Sequence, residues 1–312
     1  MELALDAKSA QAALMSPPRP NPALATLLML TATAFIAGTM LAAKLLGSDR
    51  LGPPLHPLQI SHGRFVFAFL VLALAAALMR PKFSRPHLGL HIGRTLSGWL
   101  GVTFMFAAVA YIPLSDATAI TFLNPVFGMM LAIPLLGERV GPWRWAAAAL
   151  AMVGAVILLR PGPGTFEVAA LLALAAALIM GFELILIKML AVREGAFQIL
   201  LTNNLLGLII SSVAVIAVWQ APTAEQWGIL FALGAMMAAA QTCFVNAMAR
   251  ADASFVTPFS YVTLIFAALY DLLVFDVVPD YVSWLGAGII LVGAALLAWR
   301  ESVARRRAPR PT

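Results

Sequence analysis

The chain has 312 residues, of which 62% are hydrophobic and only 11% are charged, and its formal net charge is +6. A soluble globular domain carries about 25% charged residues, so this composition excludes a soluble fold and indicates a protein whose solvent is mostly lipid. Its apolar runs are about 20 residues long, the length of a helix that crosses a bilayer core of roughly 30 Å. The basic residues, including the Arg305-Arg306-Arg307 cluster, suit membrane orientation, so we expect no nucleic-acid partner.

The chain opens with a polar, proline-rich segment, residues 1–22, which we expect to be a disordered cytoplasmic N-terminus. It does not resemble a signal peptide, because the first apolar run is too long and begins too late. Ten apolar runs predict an all-α integral membrane protein with ten transmembrane helices. The predicted helices are Ala23–Leu46, Pro57–Met79, Leu88–Ala110, Ser115–Leu136, Trp143–Leu159, Val168–Leu190, Phe197–Trp219, Gln226–Ala249, Ala253–Phe275 and Tyr281–Trp299. Residues 302–312 are predicted to be a basic cytoplasmic tail.

The loops between these helices are short and contain no glycine-rich phosphate-binding motif, so the sequence offers no ATPase site. Lysine and arginine set the orientation of membrane helices. With the N-terminus inside the cell, only Lys44, Arg50 and Arg160 fall outside, and Arg64 lies within the second helix. All other basic residues, Arg94 among them, then lie on the inner side. We therefore predict a multi-pass protein of a bacterial inner membrane with both termini in the cytoplasm.

The two halves of the chain resemble each other. Asp116 opens an apolar run that breaks at Glu138, and Asp252 opens a similar run that breaks at Asp276. The halves are residues 23–162 and 163–301. Each half holds five helices, an odd number, so we predict two five-helix repeats that are inverted relative to each other.

Equal spacings of polar residues in the two halves also support this repeat. Gln59 and Arg64 are five residues apart in the first half, as are Gln198 and Asn203 in the second. Inverted repeats are a recurring design of secondary transporters, in which the substrate site lies near the membrane midplane between the repeats.

Several short motifs are present in the two halves. They are Pro57 and Arg64, Tyr111-Ile-Pro-Leu-Ser-Asp-Ala117, Asn124-Pro125, Leu136-Gly-Glu138, Gly154, Ala253-Ser-Phe-Val-Thr-Pro258-Phe-Ser-Tyr261, Gly286 and Gly293. Through these motifs the chain resembles the drug/metabolite transporter superfamily, with two EamA-type domains over about residues 25–300. It departs from the pattern at Val274-Phe275-Asp276, where a Gly-Glu pair is usual. The resemblance implies a ten-helix metabolite carrier of the bacterial inner membrane; members include amino-acid exporters and importers of riboflavin or S-adenosylmethionine.

Glu183 is the first candidate site residue because it lies in the middle of an apolar helix. An unpaired carboxylate at the bilayer centre costs at least about 2.5–3.5 kcal/mol, so Glu183 faces a cavity, pairs with a base or is protonated. Its functional interpretation is a carboxylate that couples transport to protons or binds a cation. The alternative is a neutral or paired structural residue.

Five further residues are candidates for substrate binding. Arg64 binds an anionic substrate group or is a structural anchor for a neighbouring carbonyl or carboxylate, and the second interpretation is favoured. Asn124 precedes Pro125, which removes a backbone donor and bends its helix, and Tyr261 lies in the equivalent helix of the second half. Trp99 and Gln241 lie near mid-membrane, where an aromatic ring and an amide suit a planar or zwitterionic metabolite; for Trp99 plain packing is an equal alternative.

Other polar residues receive structural interpretations. Lys44 lies near a helix end, from where its amine reaches the interface, and Tyr270 and Asp271 are candidates for an exit gate. His87 and His91 are four residues apart, but no third ligand is near, so we expect no metal. The single cysteine excludes an intramolecular disulfide and a cysteine-based zinc site, and no cofactor is expected.

Two features concern packing. Asn203 and Asn204 suit hydrogen bonds between helices. Glycines such as Gly154, Gly286 and Gly293 let helices approach closely, which marks either packing within the chain or a dimer face. A monomer and a homodimer are both compatible with the sequence.

The sequence therefore predicts a secondary transporter of a small polar organic metabolite that works by alternating access, with Glu183 the candidate for proton coupling. The alternative is a membrane-embedded lipid-modifying enzyme. That enzyme would need a cluster of His, Asp or Glu at one membrane face, and the carboxylates of this chain are dispersed. Substrate, direction of transport and coupling ion do not follow from the residues.

Overall fold

A computed structural model describes residues 21–81, 83–137, 141–159, 168–191, 193–248, 250 and 257–307. Over these residues the protein is almost entirely helical, and none of them lies in a β-strand. Residues 1–20 of the predicted disordered N-terminus lie outside the described residues, as do Glu138 and the loop at 160–167, whereas Pro22 already begins the first helix.

The described helices follow one another with short connections. They are α1 (Pro22–Leu46), α2 (Pro57–Met79), α3 (Leu88–Val109), α4 (Leu114–Thr121), α5 (Asn124–Leu136), α6 (Pro142–Leu159), α7 (Val168–Ala191), α8 (Ala196–Val215), α9 (Ala224–Met248), α10 (Val262–Phe275) and α11 (Tyr281–Arg307), with short 3₁₀ helices at Asp49–Leu51, Ile216–Val218 and Thr257–Tyr261. Seven segments are long and apolar enough to cross a membrane, with α4 and α5 together forming one of them. Shorter apolar helices at Trp145–Leu158, Phe259–Phe275 and Tyr281–Gly293 make up the remaining spans. The predicted all-α membrane fold with ten spans is confirmed, and α11 runs beyond its predicted end at Trp299.

The fourth span is broken, where the sequence predicts one continuous helix. α4 ends at Thr121, and α5 begins at Asn124 after a turn in which the N–H of Phe122 donates to the carbonyl of Thr118 over 3.2 Å. Pro125 lies in the first turn of α5, where its missing N–H has no intrahelical partner to lose. In the second half the 3₁₀ helix Thr257–Tyr261 precedes α10, so the chain departs from α-helical geometry at the corresponding place in each repeat.

Asp276 does not correspond to Glu138, the residue with which the sequence repeat pairs it. Both α5 and α10 end on a residue in the left-handed conformation, Gly137 with φ of 66° and Asp276 with φ of 55°. Asp276 is therefore the equivalent of Gly137 and not of Glu138. Aspartate is among the few residues other than glycine that tolerate this conformation, so the helix can end without the glycine.

Two glutamines show the inversion of the repeats directly. At the start of α2, Gln59 donates from Nε2 to the carbonyl of Gln220 over 2.7 Å and accepts from the N–H of the same residue over 3.2 Å. At the start of α8, Gln198 accepts from the N–H of Ser84 over 2.8 Å and donates to its carbonyl over 3.0 Å. Gln220 lies between α8 and α9, and Ser84 lies between α2 and α3. Each repeat thus binds the equivalent loop of the other, at opposite ends of the bundle.

The last helices of the two repeats, α6 and α11, pack against each other through glycines. A Cβ built on Gly154 would lie 2.6 Å from the carbonyl oxygen of Gly286, and one built on Gly293 would lie 2.6 Å from the amide nitrogen of Ala151. Both distances are shorter than any van der Waals contact. Of the two interpretations of these glycines, packing within the chain accounts for Gly154, Gly286 and Gly293.

The two ends of the bundle differ in how tightly they are packed. We call the end at which α1 begins the termini end and the opposite one the distal end. Large side chains that are fully buried concentrate at the distal end; they include Leu46, Ile60, Leu114, Leu230 and Leu233. The termini end holds the cavity described below.

Candidate functional site

Three charged side chains meet inside the bundle. Arg94 of α3 places its Nε 3.5 Å from Oε1 of Glu183 on α7, and both side chains are largely buried. Arg64 of α2 interacts electrostatically with both of them. Gly98, one turn beyond Arg94, leaves the space for the carboxylate, because a Cβ at this position would lie 2.7 Å from Oε1 of Glu183.

The two arginines are not fully satisfied by the protein. Each is only 5% exposed, yet Nε and Nη1 of both have no hydrogen-bond partner among the described residues. The guanidinium of Arg64 lies 4.5 Å from the ring centre of Phe65, a cation–π contact that offsets part of its desolvation. One carboxylate and two guanidinium groups leave this cluster with a net single positive charge.

A cavity of about 460 Å³ lies beside the cluster, between α1, α3, α7, α8 and α9. It extends from the middle of the bundle toward the termini end. Arg94, Gln241 and Glu194 supply its polar lining, and apolar residues such as Met180 and Phe244 supply most of the rest. An apolar cavity with a few convergent polar groups is the usual form of a site for a small organic molecule.

Gln241 is held at the cavity wall by a second amide. Its Oε1 accepts from Nδ2 of Asn204 over 3.4 Å, and the same Nδ2 also donates to the carbonyl of Leu200 over 2.9 Å. Asn204 therefore joins α8 to α9, in agreement with a hydrogen bond between helices. The Oδ1 of Asn203 is buried and has no partner among the described residues.

The remaining predicted site residues lie outside this cavity. Trp99 lines a separate apolar groove of about 440 Å³ with Leu96 and Phe182. Asn124 packs with its backbone against α7, because a Cβ on Gly181 would lie 2.8 Å from its carbonyl oxygen. Tyr261 contacts Phe122 edge to face, with ring centres 5.3 Å apart.

That aromatic contact joins corresponding spans of the two repeats. Phe122 lies in the break between α4 and α5, and Tyr261 ends the 3₁₀ helix before α10. The turn after α4 and the 3₁₀ helix before α10 therefore meet each other in the bundle. Of the six predicted residues, the structure brings Arg64 and Glu183 into one cluster and places Gln241 in the adjoining cavity.

At the distal end, Lys44 has a role that differs from the expected one. Its Nζ donates to Oδ1 of Asp271 over 2.7 Å, and the carboxylate of Asp271 is fully buried. The backbone N–H of Ser115 donates to the other oxygen over 3.3 Å. The Lys44–Asp271 pair therefore joins α1 to α10, across the two repeats, and the exit-gate candidate Asp271 is held in a closed contact.

Two more contacts join the repeats at the distal end. Nη1 of Arg50 donates to the carbonyl of Val274 over 2.6 Å, and the hydroxyl of Ser283 donates to Asp116 over 2.9 Å. Since these contacts also cross from one repeat to the other, the described conformation is closed at this end.

At the termini end, a buried carboxylate that the sequence did not single out organises the loops. Glu194 accepts from the N–H of His87 over 2.7 Å, from Nδ1 of His87 over 3.0 Å, from Nε2 of His91 over 2.8 Å and from Nε2 of Gln198 over 2.7 Å. Burial raises the pKa of Glu194, but the hydrogen bonds from His87 and His91 outweigh it and lower the pKa to about 2. The two histidine rings point to Glu194, and no group of three His, Cys, Asp or Glu side chains suited to a metal occurs among the described residues.

Comparison with known proteins gives a match to both halves of the chain. The profile of the EamA-like transporter family matches residues 23–160 and again residues 168–299. The riboflavin transporter of Rhizobium johnstonii is 35% identical over 252 residues, which cover 79% of this chain and 82% of that protein. The S-adenosylmethionine uptake transporter of Rickettsia bellii is 28% identical over 260 residues, which cover 82% of this chain and 89% of that protein.

A solved crystal structure has the same fold. It superposes with a TM-score of 0.61 over 92% of this chain and 100% of its own, at 21% sequence identity. At that level of identity the similarity concerns the fold alone.

Proposed function

The chain belongs to the EamA-like transporter family, and from this we propose that it is a secondary transporter that moves a small polar organic metabolite across the bacterial inner membrane by alternating access. The observation that carries the proposal is the charged cluster beside a cavity in a chain built of two inverted repeats. A charge at membrane depth is costly and marks a pathway for a substrate or an ion.

The cavity supports a substrate of moderate size with both apolar and polar parts. Its wall is mostly apolar, with the Gln241 amide on α9 and the Arg94 guanidinium on α3 as polar contacts. The transporters from Rhizobium johnstonii and Rickettsia bellii are named for riboflavin and S-adenosylmethionine. We therefore place the substrate among vitamin-like, nucleoside-like or amino-acid-like metabolites.

Alternating access is supported by the contrast between the two ends of the bundle. The Lys44–Asp271 pair and the contact between Ser283 and Asp116 join the repeats at the distal end, while the cavity extends toward the termini end. In the proposed cycle these distal contacts open when the cavity closes at the termini end. The repeats then exchange conformations, as their similar structure allows.

Glu183 is the proposed coupling residue. In the described conformation its charge is compensated by Arg94 at 3.5 Å and by Arg64. When that compensation is lost, a carboxylate in apolar surroundings is costly unless it binds a proton. A step that separates Glu183 from the arginines would therefore couple proton uptake to transport.

Uptake into proteoliposomes tests the proposal. The purified protein is reconstituted, and uptake of riboflavin, S-adenosylmethionine and a panel of amino acids is measured with and without an imposed pH gradient, against liposomes without protein. We expect saturable transport of at least one compound and stimulation by the gradient. Folded protein that transports no compound of the panel in either direction would contradict the assignment.

A further inference from the structure

We propose that the charged cluster is an oxyanion subsite, in which Arg94 binds a carboxylate or phosphate group of the ligand in the cavity and the neighbouring positive charge of Arg64 strengthens that binding. The inference rests on the proposed function only in placing the substrate in this cavity. It names the chemistry that the ligand presents to the cluster.

The first argument is the charge of the cluster. Two guanidinium groups face one carboxylate, since Arg64 and Arg94 both interact with Glu183. Glu194 also lines the cavity, but its oxygens are occupied by His87, His91 and Gln198. The uncompensated positive charge therefore lies with the arginines, and a buried charge is costly until it is paired.

The second argument is the number of buried donors. Nε and Nη1 of Arg64 and of Arg94 have no hydrogen-bond partner among the described residues. The Arg94–Glu183 contact of 3.5 Å is longer than a bidentate arginine–carboxylate pair, whose N···O distances are about 2.7–2.9 Å. The fork of Arg94 is thus only partly used by the protein, and Arg94 itself lines the cavity.

The geometry of the donors selects the class of ligand. A guanidinium presents parallel N–H groups that match the two oxygens of a carboxylate or of a phosphate. A neutral amide or alcohol would leave the charge unpaired, and a simple cation would be repelled. The apolar lining beside the arginines, such as Met180 and Phe244, would hold the remainder of an organic anion.

Glu183 would act in this subsite as an internal competitor. Its carboxylate holds Arg94 while the ligand is absent, and the ligand anion takes its place when it binds. Removal of the Glu183 charge should therefore strengthen anion binding. An ion pair that the ligand does not reach would not show this effect.

Thermal unfolding of the purified full-length protein, followed by tryptophan fluorescence, tests the inference without any need for transport. The probes are benzoate and benzamide, which share a ring and differ in the charge, and inorganic phosphate against chloride at constant ionic strength. We expect benzoate and phosphate to raise Tm in a saturable way, with little effect of benzamide. In Arg94→Gln and Arg64→Gln the concentration of benzoate for half of the shift should rise about tenfold or more, and in Glu183→Gln it should fall about tenfold.

Arg193→Gln is the matched control, because Arg193 is an exposed arginine at the termini end outside the cavity. It should respond to benzoate like the wild type. Equal shifts with benzoate and benzamide, or a benzoate response that is unchanged in Glu183→Gln, would overturn the subsite. If the arginine variants do not fold, the opposite sign expected for Glu183→Gln still decides the question.

The outcome is distinguishable from that of the proposed function. Anion binding without transport of any compound would keep the subsite and reject the transporter. Transport of a neutral compound without a benzoate response would keep the transporter and reject the subsite.

Discussion

Glu183 and Arg94 form an ion pair of 3.5 Å between α7 and α3, and Gly98 provides the space that the carboxylate occupies. The two helices belong to different repeats. The pair therefore lies where the halves must move relative to each other if access alternates, which makes its charge a direct test of mechanism.

Replacing Glu183 by Gln should abolish stimulation of transport by a pH gradient and leave the fold intact. The amide keeps the shape of the side chain, but it carries no charge and cannot take up a proton when the arginines move away. Uptake with and without the gradient measures the effect. Glu225→Gln is the control, since Glu225 is exposed in the first turn of α9. Gradient-driven uptake of normal size in Glu183→Gln would remove the proposed coupling role.

Enlarging Gly98 should impair the same site by steric means alone. A Cβ would lie 2.7 Å from Oε1 of Glu183, so Gly98→Ala should displace the carboxylate and cost on the order of 1–3 kcal/mol through overpacking. Gly89 lies on the same helix with nothing within 4 Å of its virtual Cβ. Gly89→Ala should therefore be neutral or stabilise α3 by up to about 1 kcal/mol. The two variants are compared by Tm and by transport rate, and equal behaviour would contradict the tight contact.

Breaking the Lys44–Asp271 pair should destabilise the closed distal end. Lys44→Met leaves the fully buried Asp271 carboxylate without its cation, and such a loss costs roughly 3–5 kcal/mol. Asp271→Asn should cost less, because Lys44 is partly exposed and its amine can reach water. The double variant should recover most of the loss, and Tm values of the four proteins give the coupling energy. If the losses of stability in the two single variants simply add in the double variant, the interaction between Lys44 and Asp271 contributes nothing to stability.

The same pair also makes a prediction about conformation. In a Cys243→Ser background, Ser115→Cys lies buried beside Asp271 in the closed distal end. Its labelling by a membrane-impermeant maleimide should be slow with Lys44 present and faster in Lys44→Met. Unchanged labelling would mean that the pair does not control access.

The loops at the termini end should depend on pH through Glu194. The pKa of Glu194 is lowered in the folded protein to about 2, from an unperturbed value of about 4.3. Its contribution to stability is therefore fully present above pH about 4.3 and is lost as the pH falls toward 2. Glu194→Gln should lower the free energy of unfolding at pH 7 by on the order of 2 kcal/mol. The difference in Tm between variant and wild type should shrink below pH about 4, and a constant difference would contradict the ionised carboxylate.

The ten spans and their repeat could be predicted from the sequence because the length of an apolar run and the position of each break are local features. Glu183 and Arg64 could also be predicted as candidate site residues, because a charged residue inside an apolar run stands out in the sequence. For Arg94, the sequence predicts only a charge of the inner side, near the start of α3. Its role depends on the packing of α3 against α7, which no local pattern contains.

The direction in which a side chain points around its helix was harder to predict. Trp99 and Asn124 are predicted to line the substrate site, yet Trp99 lines a different groove and Asn124 packs by its backbone. The helices of this chain are apolar all round, so the sequence gives little information on their rotation. The role of Glu194 could not be predicted, because Glu194 lies in a short turn and its partners His87 and His91 come from the other repeat.

The contact of α6 with α11 has a mechanical consequence. Gly154 and Gly286 bring the two backbones so close that not even a methyl group fits between them. Neither helix can slide along the other without collision, and separating them would lose the close backbone packing that holds helices together in lipid. Because these helices end the two repeats, we expect their contact to stay fixed if the repeats move relative to each other, and to serve as the axis of that movement.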